Sequence, residues 1–126
     1  MTREEFTALP YLLTPGQVEA CGYAPRTVDK YAESGILAVI LPAGCRKRRF
    51  QKRQLAQMLG WESTVDRAAW AREKPLLPLG VVQQWTGYDE RTVANMVLAG
   101  GLVVVRPAGL WCAKYRKEQI GEWIGL

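Results

Sequence analysis

The chain contains no histidine. That removes the commonest general base and the commonest metal ligand. Its three cysteines, Cys21, Cys45 and Cys112, lie far apart and form no Cys-x-x-Cys pair. Without histidine they make a poor zinc set, and an odd number argues against a disulfide framework. They read as small hydrophobes or incidental thiols. No Walker loop, nucleophile elbow or paired-carboxylate motif occurs. Neither catalysis nor a cofactor is expected. There is no long apolar run of the kind a membrane span needs. The start, Met1-Thr2-Arg3-Glu4-Glu5, lacks the apolar core of a signal peptide. These absences predict a cytoplasmic, non-membrane protein.

What is present is a folded composition with a basic bias. Apolar residues make up 48%, which argues against disorder. The net charge of +5 and pI of about 9.3 permit nucleic-acid binding. The placement of that charge says more. Arg46, Lys47, Arg48, Arg49, Lys52 and Arg53 crowd one short segment with no acid among them.

The chain also repeats itself at a spacing of 65. Gly22-Tyr23, Arg26-Thr27-Val28, Gly35-Ile36-Leu37, Pro42-Ala43-Gly44 and Phe50 return as Gly87-Tyr88, Arg91-Thr92-Val93, Gly100-Gly101-Leu102, Pro107-Ala108-Gly109 and Tyr115. Gln54-Leu55 and Leu59-Gly60 return as Gln119-Ile120 and Ile124-Gly125. A self-match at fixed spacing marks one module written twice. The copies are assigned to residues 1–62 and 63–126. Each is near the lower limit for an independent core, so the copies are expected to pack together or to share a linker helix.

Within one copy, Thr2 caps a first helix to about Ala8, and Thr14 with Pro15 opens a second that ends near Cys21. After the Gly22-Tyr23 turn, Pro25 opens a third helix, Arg26 to Ser34, with Val28 and Tyr31 inward and Gly35 as its stop. Ile36 to Leu41, a turn at Pro42-Ala43-Gly44 and the basic run to Phe50 read as a two-stranded hairpin. A closing helix, Lys52 to Leu59, is expected to bury Leu55, Met58 and Leu59 and to stop at Gly60. Ser63-Thr64-Val65-Asp66 reads as the start of a helix from about Thr64 to Glu73, serving as linker and as first helix of the second copy. The second copy continues with helices at about Leu79–Trp85 and Glu90–Ala99, a hairpin at Leu102–Tyr115 and a helix at Lys117–Ile124. The fold class is therefore mainly α with small β-hairpins (α+β).

This order is that of a winged helix-turn-helix, here two in tandem. Thr27-Val28-Asp29-Lys30-Tyr31-Ala32-Glu33-Ser34-Gly35-Ile36-Leu37 resembles the T-[LIV]-R-Y-Y-E-x-x-G-L-[LI] signature of MerR-type regulators. Arg46 to Phe50, with the helix after it, resembles the G-R-R-R-F segment and closing helix of the excisionase-like branch. Asp29 and Lys30 depart from the signature's Arg and Tyr. The long coiled coil and effector domain of full MerR regulators have no counterpart in these residues. The resemblance thus implies a compact DNA-binding factor, an excisionase-like architectural protein or a small phage-type or mobile-element regulator, with no small-molecule effector.

In such a motif the recognition helix enters the major groove. Arg26, Thr27 and Lys30 are its exposed candidates in the first copy, with Arg46, Lys47, Arg48, Arg49 and Lys52 for the phosphates or an adjacent minor groove. Asp29 accepts from cytosine or is simply a solvated helix residue. Arg26 and Thr27 also suit a plain helix start, and a basic hairpin edge also suppresses aggregation. The second copy offers Arg91, Thr92, Asn95, Lys114 and Arg116, and has lost most of the wing charge to Leu110-Trp111-Cys112-Ala113. Strand alternation puts Trp111 on the Tyr115 face, which points to burial. The first copy is expected to dominate affinity for double-stranded DNA. The second supplies a weaker half-site, about one helical turn away, or a face for a protein partner or a second copy of the chain. Met96, Val97, Trp111 and Trp123 suit either packing between copies or a dimer. Two other readings stay open, a packaging adaptor like small terminase subunits and a protein-interaction module. A nucleoid-associated regulator leads.

Overall fold

Threonine starts the first two helices. Thr2 accepts from the Glu5 N–H while Glu5 reaches back to the Thr2 N–H, and Thr14 and Gln17 form the same reciprocal box. Each box satisfies two donors that a helix start leaves free. The helices are α1 (Arg3–Thr7) and α2 (Pro15–Ala20). A third, α3 (Pro25–Glu33), begins on proline and is stopped by Gly35, whose φ of +80° is the left-handed conformation that favours glycine. Then come β2 (Val39–Ile40), β3 (Arg49–Gln51) and α4 (Lys52–Leu59). The sequence predicts only the hairpin. A further strand, β1 (Leu12–Leu13), pairs antiparallel with β3 and makes a three-stranded sheet of order β1-β3-β2. Two residues are too few to show alternation, so it left no sequence signal.

The computed structural model describes residues 1–108 and 112–126, and the second module repeats the first. Its elements are α5 (Arg67–Arg72), β4 (Leu76–Leu77), α6 (Leu79–Thr86), α7 (Glu90–Ala99), β5 (Val104–Val105), β6 (Lys114–Arg116) and α8 (Lys117–Ile124), with sheet order β4-β6-β5. Each follows its counterpart by 64 or 65 positions. The turn at Gly109 and the expected placement of Trp111 lie outside the described residues.

Two side chains of the closing helix perform the same task in both copies. Gln54 accepts from Ala38 N–H at 2.9 Å and donates to Ile36 O, as Gln119 accepts from Val103 N–H at 3.0 Å and donates to Gly101 O. Each clips the segment that leads from α3, or from α7 in the second module, into the wing. Lys52 donates to the carbonyls of Thr7 and Leu9 at 3.0 and 2.9 Å, and Lys117 to those of Ala71 and Glu73. Each lysine thus answers carbonyls left over at the end of the module's first helix.

Three expectations need correction. Lys52 is fully buried, with its ammonium 4.7 Å from the Tyr11 ring centre, so it belongs to the core and not to a DNA surface. Met58 is 39% exposed, because its face of α4 turns outward to Tyr23, whose hydroxyl donates to its sulfur. The linker is not one helix from Thr64. A 3-10 turn, Glu62–Thr64, comes first; Thr64 turns inward to donate to Trp61 O, and Asp66 caps α5.

The modules join through one asymmetric seam. The back of the first sheet, with Tyr11, Leu12 and Ile40, packs into the core of the second module. Tyr11 stacks 4.8 Å from Trp85, its N–H donates to Trp85 O at 2.8 Å, and its hydroxyl accepts from Asp66 N–H at 2.7 Å. Gln51 donates to Trp123 O at 3.0 Å. Beyond the sheet, the wing turn of the first module lies on the end of α7. A Cβ at Gly101 would overlap the Ala43 backbone, and one at Gly44 would overlap that of Asn95. Met96 is fully buried in the core of the second module, and the Trp123 ring stands edge-on to Tyr88 while its carbonyl accepts from Gln51.

Candidate nucleic-acid interface

The wing of the first module sits between α3 and α7. Strand alternation in β3 sends Phe50 into its own core and Arg49 toward the second module. Arg48 stays on the Phe50 side, with its guanidinium 5.4 Å from that ring centre, and pairs with Asp29 of α3. Asp29 is exposed on α3, as a solvated helix residue would be, and its carboxylate is paired with Arg48 and so is not held open for a base. It ties the wing to α3 of the same module. The pair is partly solvated, so it contributes about 0–1 kcal/mol and orders Arg48 more than it stabilises the fold.

Arg49 crosses the seam. Its guanidinium lies 5.4 Å from the Tyr88 ring centre, at the entrance to α7. Burial pushes the Tyr88 phenol well above its ordinary range, with Cys45 adding to the shift and Arg49 opposing it. Asp89, the N-cap of α7, accepts from Thr92 N–H at 2.7 Å. That bond holds its carboxyl below the usual range, with smaller help from Arg91 and Arg49.

Arg46, Lys47 and Arg49 of the first wing, with Thr92 and Asn95 of α7 and its cap Asp89, line one cleft of about 290 Å³. Arg46, Lys47 and Asn95 are exposed there. Arg26 and Lys30 are exposed on α3, with Thr27 half-buried beside them. Arg91 is exposed on α7 but does not line the cleft. Lys114 and Arg116 are not brought to it. Lys114 borders a groove with Arg72 and Val81, and Arg116 borders another between α5 and α8.

α3 and α7 begin differently. α3 starts on Ala24-Pro25, without a side-chain cap and with no acid in its first turn. α7 starts on Asp89-Glu90, which already satisfies and neutralises its N-terminal dipole. An anion therefore meets less competition at α3. What sequence reasoning missed is the cross-module pairing of wing and helix. Its only trace was the Gly100-Gly101 pair, which stands opposite Gly35-Ile36 and removes a side chain where the wing approaches.

No family model matches the chain, and no curated protein or solved structure matches it either. Among the described residues no helix is long and apolar enough to cross a membrane.

Proposed function

We propose that the chain is a non-enzymatic double-stranded DNA-binding protein, a regulator or excisionase-like architectural factor of the MerR/excisionase-like kind that its signature resembles. The observation that supports this most is the convergence of Arg46, Lys47 and Arg49 with Thr92 and Asn95 along one cleft, beside an α3 that presents Arg26 and Lys30. Arginine pairs bidentately with guanine, and asparagine with adenine. The exposed wing cations neutralise phosphates and release counterions. On this reading α3 dominates affinity, since its N-terminus is open while that of α7 is occupied by acid. The wing serves both helices, so the protein reads one continuous site and not two separable half-sites. Such a protein resides with the nucleoid.

The test is selection from random duplex DNA with the intact chain, followed by binding at several salt concentrations. A single uninterrupted motif is expected, with a log–log salt slope that falls by about 2 in Arg46→Ala/Lys47→Ala. A salt-independent interaction, or no enriched motif, would reject the DNA reading. Two motifs at variable spacing would reject the shared wing.

A further inference from the structure

Among the described residues the chain makes one ion pair, between Asp29 and Arg48. Asp29 has cations nearer in sequence. Asp29 and Lys30 follow Arg26 by three and four positions, and all three are exposed. Residues so spaced share one face of a helix. The acid therefore stands on the face of α3 that carries Arg26 and Lys30, yet its carboxylate crosses to the wing. Arg48 meets it there with its guanidinium 5.4 Å from the Phe50 ring centre.

The second module shows that the fold does not need this pair. It builds the same helices and strands with Ala94 and Ala113 at the matching positions, 65 residues on. Acid and partner are absent together. On a surface that binds a polyanion, a carboxylate is costly. It repels phosphates, and here it also withholds one of the wing's cations. An ionised carboxylate can only accept hydrogen bonds. In the major groove guanine presents acceptors, thymine an acceptor and a methyl, and adenine a donor beside an acceptor. Cytosine alone presents an amino donor with no acceptor next to it.

We propose that Asp29 is a specificity-determining residue, which withholds Arg48 from phosphate until a cytosine amino group takes over its carboxylate. Facing guanine or thymine, Asp29 finds no donor and keeps Arg48. Facing cytosine, it exchanges one donor for another, and Arg48 turns to a neighbouring phosphate. Binding at the right base is thus a change of partners, while binding elsewhere leaves one wing cation unused and one acid facing the phosphates. Arg48 is the cation so governed, because Arg46 and Lys47 are exposed and make no ion pair among the described residues. This role rests on the DNA reading above and adds to it the base that one position of the site carries.

The test compares the full chain with Asp29→Ala, Arg48→Ala and Asp29→Ala/Arg48→Ala on two duplexes of equal length, one selected from random DNA by the full chain and one of scrambled sequence. Melting curves check that each variant folds. Asp29→Ala should bind the scrambled duplex about fivefold more tightly, the upper end of what a solvated pair withholds. Its log–log salt slope there should steepen by about 1, as one more cation reaches phosphate. Binding to the selected duplex should change by less than about twofold, because the lost cytosine contact offsets the released cation. A repeated selection with Asp29→Ala should lose a cytosine at one position. In the Arg48→Ala background most of the gain on scrambled DNA should disappear. Equal tightening on both duplexes, a gain that survives without Arg48, or an unchanged motif would overturn the proposal. So would weaker binding by Asp29→Ala, which would mean that the acid holds Arg48 toward DNA. A full chain that binds neither duplex in a salt-dependent way rejects the DNA reading itself. A full chain that binds, with Asp29→Ala indistinguishable from it, rejects this role alone.

Discussion

The two modules carry the same elements in the same order, yet one is sealed and the other open. Leu12 and Leu76 share register and chemistry and differ only in what lies over them. Burial here is a property of the neighbour and not of the residue. Duplication made two equal sheets, and a head-to-tail seam then used the back of one and left the back of the other free. A heterologous contact of this kind always leaves one unmatched surface at each end.

The sharpest way to break the comparison is to truncate both leucines. Leu12→Ala should cost about 2–4 kcal/mol in urea unfolding, and Leu76→Ala less than about 0.5 kcal/mol. Equal losses would mean that the seam contributes nothing. Next come the paired positions at the wing turn. Gly101→Ala should cost about 1–3 kcal/mol, because a methyl there meets the Ala43 backbone, while Ile36→Ala at the half-exposed counterpart should cost less than about 1 kcal/mol. Gly101 does not have a positive φ, so this substitution reads close approach alone.

The buried lysine gives a smaller effect, resolved by pH. Burial pushes the Lys52 ammonium down to about 8 from 10.5. Below pH 8 both states hold the proton and the penalty is constant. Between 8 and 10.5 the unfolded chain binds more protons, so stability rises with pH. Tyr88 acts oppositely. Its raised phenol means that the unfolded chain ionises first, which removes stability above its ordinary value of 10. Denaturation midpoints should therefore rise from pH 8 and turn over near 10. Lys52→Met should flatten the rising limb by on the order of 1–2 kcal/mol. The smallest effect belongs to Asp29→Ala. It should change stability by less than about 1 kcal/mol, while a DNA titration should show tighter binding as Arg48 is released to phosphate.

Much of the fold was legible because each signal was local and repeated. α4, α7 and α8 run over Lys52–Leu59, Glu90–Ala99 and Lys117–Ile124, as the spacing of apolar residues and their glycine stops predict. The paired strands β1 and β4 were not legible, since two leucines carry no periodicity. Lys52 was misread because it continues a basic run. The 65-residue register held the correcting signal, for Lys117 keeps that position although the second copy lost the charges at 46, 47 and 48. A charge kept where its neighbours are lost serves the fold. At the candidate site, the exposed residues of α3 and the wing were foreseeable from charge. The reach of Arg49 to Tyr88 was not, because it depends on how the modules pack.

The seam also sets a timetable for synthesis. Trp85 and Tyr88, which cover Tyr11 and Leu12, follow them by some seventy-five residues, and the Trp123 carbonyl that holds Gln51 follows later still. At about 5–20 residues per second, the first module leaves the ribosome with the back of its sheet uncovered for several seconds. During that interval its exposed β1 edge and apolar back are the surfaces that a chaperone, or a neighbouring nascent chain, meets first.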